Sequence, residues 1–278
     1  MAWFTRSSRF TVVALALTLG LVANIPTGVQ AQLGGSPLSR EIPTEWEFTP
    51  PSSSGQGIAR NRDGGGTRGP CITDPTLGRG PIALVPKSGV GQTIAEYPTL
   101  SWYLPENTGW GVELKVRDAN NQEIYSTKYA FDHYTGKDSE GNEQQYVVGA
   151  PGIMSLTLPN LESSVLPPEI GQQYKWQLTL ICIPDDPSSY VYVDGAFERV
   201  QPDPNLARRI QQATPEQRVA MYAKERLWYE TLNTLVELRR QSPNDPTLKA
   251  AWSRLLSSVG LEQIVEEPVA QKARTNQN

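Results

Sequence analysis

Residues 174–182 read Tyr-Lys-Trp-Gln-Leu-Thr-Leu-Ile-Cys. Apolar side chains occupy every second position from Tyr174 to Cys182, and Lys175, Gln177 and Thr179 lie between them. This period of two is typical of a β-strand with one buried face. We therefore expect the central strand of a β domain here, with Cys182 on its buried side.

The N-terminus has the pattern of a secretory signal peptide. Arg6 and Arg9 give a basic start, residues 12–22 form a short apolar run, and Ala31 ends a small-residue cleavage motif. We expect residues 1–31 to be removed, so that the mature chain is exported and is periplasmic or extracellular. An uncleaved membrane anchor is the alternative. No later segment holds about 20 apolar residues, so we expect no membrane span in the mature chain.

The chain has two cysteines, Cys71 and Cys182. Cysteines of exported proteins commonly pair, because the compartment is oxidising. We therefore expect a disulfide that ties the strand at residues 174–182 to the segment ending at Cys71. Two free thiols are the alternative.

Residues 32–70 are rich in Gly, Pro and Ser, which predicts a disordered linker. Trp46 and Phe48 interrupt it, either as a loosely tethered pair or as side chains that dock on the domain or on a partner. The glycine run at residues 64–70 lacks a Gly-Lys-Ser/Thr ending and a following helix. We therefore do not interpret it as a phosphate-binding loop.

Residues 71–200 contain short alternating apolar runs separated by turn residues. In the clearest run, Val112, Leu114 and Val116 alternate with charged residues. About seven such strands with no helical pattern between them predict an antiparallel β-sandwich.

Residues 132–145 interrupt this pattern with several acidic side chains. An EF-hand loop that starts at Asp138 would need glycine at its sixth position, where this chain has Glu143. We interpret the segment as a solvated acidic loop, with an ion site as the alternative.

Helical signals follow residue 200. Asp203, Thr214 and Asp245 each precede a proline, the arrangement of a capping side chain followed by Pro at the first helical position. The expected helices are 204–212, 215–240 and 246–258. The last two predict a helical hairpin, within an extension at 201–265 that packs on the sandwich through Trp228 and Trp252. We expect residues 266–278 to be a disordered tail.

Catalytic patterns are scarce. His133 is the only histidine, and no Gly-x-Ser-x-Gly motif accompanies it. Asp185 and Asp186 lie in an Asp-Asp-Pro-Ser sequence that is typical of a turn. We expect no enzyme and no cofactor, and a carboxylate-based hydrolase is the remaining catalytic alternative.

Three tyrosines are candidate binding residues. If Trp102 and Leu104 point inward, Tyr103 points outward, and the same alternation turns Tyr190 and Tyr192 outward. Exposed tyrosines on a sandwich suit contacts with sugars or proteins. Coverage by the C-terminal helices is the alternative.

The charge distribution excludes one class of partner. The formal net charge is −4, and residues 71–200 hold twice as many acidic as basic residues. Nucleic-acid binding needs a concentrated basic face, so we do not expect it. An envelope protein or a polysaccharide is the expected partner.

Five segments, in this order, are similar to those of the family called domain of unknown function 928. They are Gly64-Gly65-Gly66-Thr67-Arg68-Gly69-Pro70-Cys71, Ala83-Leu84-Val85-Pro86, Ala95-Glu96-Tyr97-Pro98-Thr99, Leu180-Ile181-Cys182 and Ser257-Ser258-Val259-Gly260-Leu261-Glu262. The resemblance implies an exported cyanobacterial protein. It does not imply an activity, a cofactor or a catalytic residue. The acidic loop resembles an insertion, and Asp186-Pro187-Ser188 stands where the family suggests an arginine before the serine.

Taken together, the patterns indicate an exported, non-catalytic binding or structural module of the cell envelope. A carbohydrate-binding module that uses exposed tyrosines is the alternative, and a carboxylate-based hydrolase is the third hypothesis.

Overall fold

The computed structural model describes residues 46–48, 61–63, 69–73, 80–138, 140–159 and 168–270. The predicted signal peptide at 1–31 and the end of the predicted tail at 271–278 lie outside these residues. In chain order the strands are β1 Ile82–Ala83, β2 Val90–Thr93, β3 Thr99–Leu104, β4 Gly111–Arg117, β5 Glu123–Ala130, β6 His133–Lys137, β7 Glu143–Val147, β8 Gly152–Thr157, β9 Gln173–Ile181 and β10 Val191–Arg199. The α-helices are α1 Pro204–Gln212, α2 Pro215–Lys224, α3 Trp228–Gln241 and α4 Pro246–Ser258.

Strand β9 is the middle strand of a five-stranded sheet with the order β2-β10-β9-β4-β5. It pairs antiparallel with β10 on one side and with β4 on the other. Its alternate side chains Tyr174, Trp176 and Leu178 are buried. The prediction of a central, half-buried strand at residues 174–182 is therefore confirmed.

A second sheet with the order β1-β3-β8 contributes to the same hydrophobic core. Gly195 on β10 faces this core, and an added Cβ there would lie 2.6 Å from the Trp176 ring and 2.7 Å from Val85 Cγ1. A side chain at this position would therefore collide with core residues. The mainly β, sandwich-like fold with a helical extension is confirmed.

The strand count and strand directions differ from the expectation of about seven antiparallel strands. The described residues form ten strands, and β2 runs parallel to β10. Much of the predicted acidic loop is the hairpin β6–β7, in which the Tyr134 and Tyr146 rings lie 5.8 Å apart. Most of its side chains are exposed polar groups, so the apolar alternation that marks a strand is missing.

The helical extension has four helices within the described residues, where three were expected. The predicted helix 215–240 is divided into α2 and α3 by Arg226, whose φ is +60°. No glycine or proline marks this break. The predicted caps are confirmed: Asp203, Thr214 and Asp245 each accept hydrogen bonds from the first turn of their helix.

Helix α3 holds the extension against the sheets. Its Trp228 is fully buried and donates from Nε1 to the Leu84 carbonyl at 2.9 Å. An added Cβ on Gly91 of β2 would lie 2.8 Å from Trp228 Cδ1, so the helix and strand are in direct contact. Trp228 and Trp252 are core residues, as expected. Within the described part of the chain, no helix combines the length and the apolar character that a membrane crossing requires.

Parts of the predicted linker and tail are folded, which corrects the boundaries at residues 71 and 266. Trp46 and Phe48 are buried, and the Phe48 ring packs edge-to-face on Trp228 at 5.0 Å. At the other end, Ile153 of β8 donates to the Pro268 carbonyl and accepts from the Ala270 N–H. The tail thus covers the edge of the sheet at β8, and Phe48 packs on helix α3. Sequence composition does not report such long-range contacts.

Cys71 and Cys182 form the expected disulfide, across a sequence separation of 111 residues. Gly69 lies directly against it. An added Cβ on Gly69 would collide with Val191 Cγ2 and lie 3.0 Å from Cys182 Sγ. The end of the glycine run therefore allows close packing beside the disulfide.

Candidate functional site: the open face of the five-stranded sheet

Tyr103 is 1% exposed, so the expectation of an outward-facing binding tyrosine is wrong at this position. All six residues of β3 are buried. The reason is that β3 is the central strand of its sheet and is also in contact with helix α3. The Tyr103 hydroxyl donates to Glu267 Oε1 at 3.4 Å, which brings the tail over it as well.

Tyr192 has the predicted outward orientation. It is 48% exposed on β10, between the buried residues Val191 and Val193. Tyr190 precedes the strand and is half-buried. The helices do not cover Tyr192, because α3 packs on β2 and β3 instead.

Tyr192 belongs to a surface that we call the open face, which is formed by the outward side chains of β10, β9, β4 and β5. These are Tyr192, Asp194, Lys175, Gln177, Thr179, Glu113, Lys115, Arg117, Ser126 and Lys128. The register arranges them in rows that cross the strands. One row runs Tyr192–Thr179–Glu113–Lys128, and the next runs Asp194–Gln177–Lys115–Ser126.

Glu113 is at the centre of the ion pairs on the open face. Its carboxylate lies 3.2 Å from Lys115 Nζ and 3.6 Å from Lys128 Nζ. Exposed pairs of this kind each contribute about 0–1 kcal/mol to stability, so their main effect is to orient the side chains. The two lysines are thereby engaged with a carboxylate of the protein itself.

Arg117 and Lys175 have a different environment. They are direct cross-strand partners on β4 and β9. Arg117 is half-buried and Lys175 is exposed. Arg117 also lies opposite Glu123, at the register shift between β4 and β5. Among the described residues, neither cation takes part in an ion pair within 4.0 Å.

The segment 61–63 limits the open face at β10. Asn61 donates its backbone N–H to Asp194 Oδ1 at 3.0 Å and its side-chain amide to the Tyr192 carbonyl at 2.6 Å. The Asp194 N–H donates back to the Asn61 carbonyl. Tyr192 and Asp194 are therefore held on a strand whose edge is paired.

The other sequence candidates have structural contacts. His133 Nε2 lies 2.8 Å from the Gly109 carbonyl oxygen, which ties the base of the β6–β7 hairpin to the sandwich. Asp186 accepts from the N–H and hydroxyl of Ser188, so it has the turn role expected of it. At the hairpin tip, the Asp138 carboxylate accepts hydrogen bonds from the backbone N–H groups of Asn142 and Glu140. These bonds lower the pKa of Asp138, and the bond from Asn142 has the larger effect. Within the described ranges, no three His, Cys, Asp or Glu side chains form a group that could hold a metal ion.

Glu230 on α3 is a buried carboxyl that sequence reasoning did not single out. Its Oε1 accepts from the Thr93 hydroxyl at 2.6 Å and from the backbone N–H groups of Ile94 and Ala95. Burial raises the pKa of Glu230, and these hydrogen bonds offset the effect only in part. The carboxyl links α3 to the end of β2 through these hydrogen bonds. It is buried and is not part of the open face.

The cations of the open face were also missed as a group. The alternation of charged with apolar residues at 113–117 and 174–179 was visible in the sequence. The pairing of Arg117 with Lys175 depends on strand register, which is set by the three-dimensional packing of the buried face. A comparison of the outward positions of all strands would have found the residues but not their cross-strand pairing.

Comparisons with known proteins identify one family. The model of the family described as Domain of Unknown Function (DUF928) matches residues 63–269. The match extends from the segment beside β1 to the tail beside β8 and so includes the open face. No curated protein and no solved structure matches the chain significantly.

Proposed function

The chain belongs to the family Domain of Unknown Function (DUF928), and we propose that it is an exported, non-catalytic binding or structural module of the cell envelope. The observation that carries the proposal is the Cys71–Cys182 disulfide, which joins the segment before β1 to the end of the central strand β9. Disulfides persist in oxidising compartments such as the periplasm and the extracellular space.

The non-catalytic part of the proposal rests on the roles of the acidic groups. Asp186 caps a short 3-10 helix, Asp138 closes the tip of a hairpin, and Glu230 is buried beneath β2. Each carboxyl is engaged by groups of the protein itself. General acid–base chemistry instead requires carboxyls that face a substrate.

Affinity purification from the envelope of the producing cells tests the proposal. The tagged full chain should be recovered from the envelope fraction with its disulfide intact, and defined envelope components should bind it again after purification. Recovery of the chain from the cytoplasm with two free thiols would contradict export. Turnover of an envelope polymer by the purified chain would contradict the non-catalytic assignment.

A carbohydrate-binding role is the second candidate, and the exposure of Tyr192 on a polar face of the sheet favours it. Aromatic rings stack on the apolar faces of sugars, while carboxylates, amides and hydroxyls bind their hydroxyl groups. On the open face, Asp194 lies two positions from Tyr192 on the same strand and is the polar side chain beside the ring, whereas Thr179, opposite Tyr192, is buried. Tyr103 no longer contributes to this hypothesis because it is buried.

Tyr192→Ala tests this candidate in a pull-down with the envelope polysaccharide fraction. We expect the variant to bind at least about tenfold more weakly, because loss of a stacking ring removes one to a few kcal/mol. Tyr134→Ala on the β6–β7 hairpin is the matched control, since Tyr134 is 47% exposed and lies outside the open face. Equal binding by both variants and the unmodified chain would reject the role of Tyr192.

A further inference from the structure

The pairing of Arg117 with Lys175 places two cations opposite each other on adjacent strands. Like charges in direct cross-strand contact destabilise a sheet. Lys115 and Lys128 share the carboxylate of Glu113, but among the described residues Arg117 and Lys175 have no such partner within 4.0 Å. The arrangement is therefore suited to binding an anionic group of a ligand between Arg117 and Lys175.

The acidic side chains around this pair restrict the anion that fits. They are Asp194 in the adjoining row, Glu113 one row farther away, Glu123 opposite Arg117, and Glu198 near the end of β10. A dense array of negative charges would meet these carboxylates at short range and would be repelled. A polymer with widely spaced anions can place one at the cation pair and neutral groups elsewhere.

We propose that the open face binds a polysaccharide with sparse carboxylate groups, and that Arg117 and Lys175 together bind one carboxylate. The inference rests on the carbohydrate-binding role proposed above and specifies its ligand. The guanidinium offers a planar pair of donors to a carboxylate, and the lysine adds a second positive charge.

Tyr192 and the cation pair together define the direction of the polymer. Tyr192 lies opposite Thr179, and Lys175 is two alternations farther along β9. Four residues of a strand span about 13 Å, so an extended glycan of several sugars covers both sites. The polar side chains of Gln177 and Lys115 lie between them and face the same side.

An anionic membrane and a nucleic acid fit this surface less well. Both present closely spaced phosphates, which the four carboxylates around the cation pair disfavour. Membrane insertion also needs several apolar side chains, whereas Tyr192 is the one large exposed aromatic among the residues of the open face. A polysaccharide with sparse carboxylates can pair one carboxylate with Arg117 and Lys175 and can stack a sugar on the Tyr192 ring.

The experiment compares hyaluronan, which carries a carboxylate on alternate sugars, with the same polymer after reduction of its carboxyl groups. Binding of the full chain is measured at low and moderate salt for three proteins. The first is unmodified, the second is Arg117→Gln/Lys175→Gln, and the third is Lys249→Gln/Arg254→Gln. The last pair removes the same charge from exposed positions on α4. Near-UV circular dichroism checks that each variant is folded.

We expect the unmodified chain to prefer hyaluronan over its reduced form and to bind more weakly as salt rises. Arg117→Gln/Lys175→Gln should lose about tenfold or more in affinity, and the α4 control should not. Lys175→Arg, which keeps the charge, should retain most of the binding.

The envelope polysaccharide fraction and phosphatidylglycerol vesicles complete the test. If Tyr192→Ala weakens binding to the envelope fraction but the Arg117/Lys175 variant does not, carbohydrate binding stands and the carboxylate inference is overturned. If neither the fraction nor hyaluronan binds, both are rejected. Vesicle binding that depends on Arg117 and Lys175 would overturn the polysaccharide assignment in favour of a membrane.

Discussion

Arg62 Nη1 donates a hydrogen bond to the Val259 carbonyl at 2.7 Å, across 197 residues of sequence. The second terminal nitrogen donates to Gly260 at 2.9 Å. One guanidinium thus caps the C-terminal end of α4, where helix carbonyls lack partners and favour a positive charge. The same short segment pairs through Asn61 with β10 and through Arg62 with Ala83 of β1.

Replacement of Arg62 by Met is expected to destabilise the domain by about 2–3 kcal/mol, because two charge-assisted hydrogen bonds are lost and two carbonyls are left without their donors. Urea unfolding of the variant measures the change. Arg254→Met on the exposed surface of α4 is the control, with an expected effect below about 0.5 kcal/mol. Similar midpoints for the two variants would show that the cap contributes no more than a surface charge.

Gly69→Ala is expected to destabilise the domain by about 1–3 kcal/mol through overpacking, since the new methyl group would collide with Val191 beside the disulfide. The double variant Gly69→Ala/Val191→Ala should recover part of the loss, because the smaller side chain makes room. A double-mutant cycle by thermal unfolding measures the coupling, which neighbours in contact show at about 0.5–3 kcal/mol. Strict additivity of the two changes would contradict the contact.

Loss of the disulfide is expected to lower the free energy of unfolding by about 4–5 kcal/mol in the chain-entropy model. The cross-linked cysteines are 111 residues apart, so the loop they close is long. Cys71→Ser/Cys182→Ser and the chemically reduced chain should unfold at similar denaturant concentrations, below that of the oxidised chain. Unchanged midpoints, or free thiols at both positions by mass spectrometry without reductant, would contradict this prediction.

Glu230 is expected to give the domain a characteristic pH dependence. Burial raises the pKa of its carboxyl in the folded state, so folding favours the protonated form. Its stabilising contribution is complete below the unfolded pKa, near 4.5, and is lost as the pH rises through the higher folded pKa. Relative to Glu230→Gln, the unmodified chain should therefore become less stable as the pH is raised from this value.

Urea unfolding at several pH values measures that difference, and Glu225→Gln, at an exposed position, is the control. Glu230 interacts electrostatically with Tyr222 and Tyr229, and Tyr222 also interacts electrostatically with Arg218. The glutamine keeps an oxygen that can accept from Thr93, Ile94 and Ala95. A stability difference that does not vary with pH would show that Glu230 is not the source of the effect.

Local patterns in the sequence were sufficient for much of the fold. The alternation at Trp176 and Leu178 identified the central strand, and the Asp-Pro and Thr-Pro pairs located three helix starts. Each of these signals arises within a few residues of chain. The disulfide could be predicted because the sequence offers a single pairing of its two cysteines.

Features that depend on distant contacts were not predictable in the same way. Tyr103 has the alternation of a half-exposed strand, but α3 and the tail make its outward face interior. The break at Arg226 carries no glycine or proline, so helix propensity continues through it. On the open face, the exposure of Tyr192 was predicted from alternation, whereas the cross-strand pairing of Arg117 with Lys175 follows from register.

The contacts of Phe48 with Trp228 and of Arg62 with Val259 have a consequence for the order in which the domain folds. Phe48 and Arg62 contact residues 228 and 259, so neither contact can form until the chain has been synthesised at least to those positions. Long-range contacts of this kind also slow folding, because distant parts of the chain must meet first. A chain synthesised only as far as Leu227 therefore lacks both contacts, and Phe48 has no ring partner on α3 until Trp228 has been added.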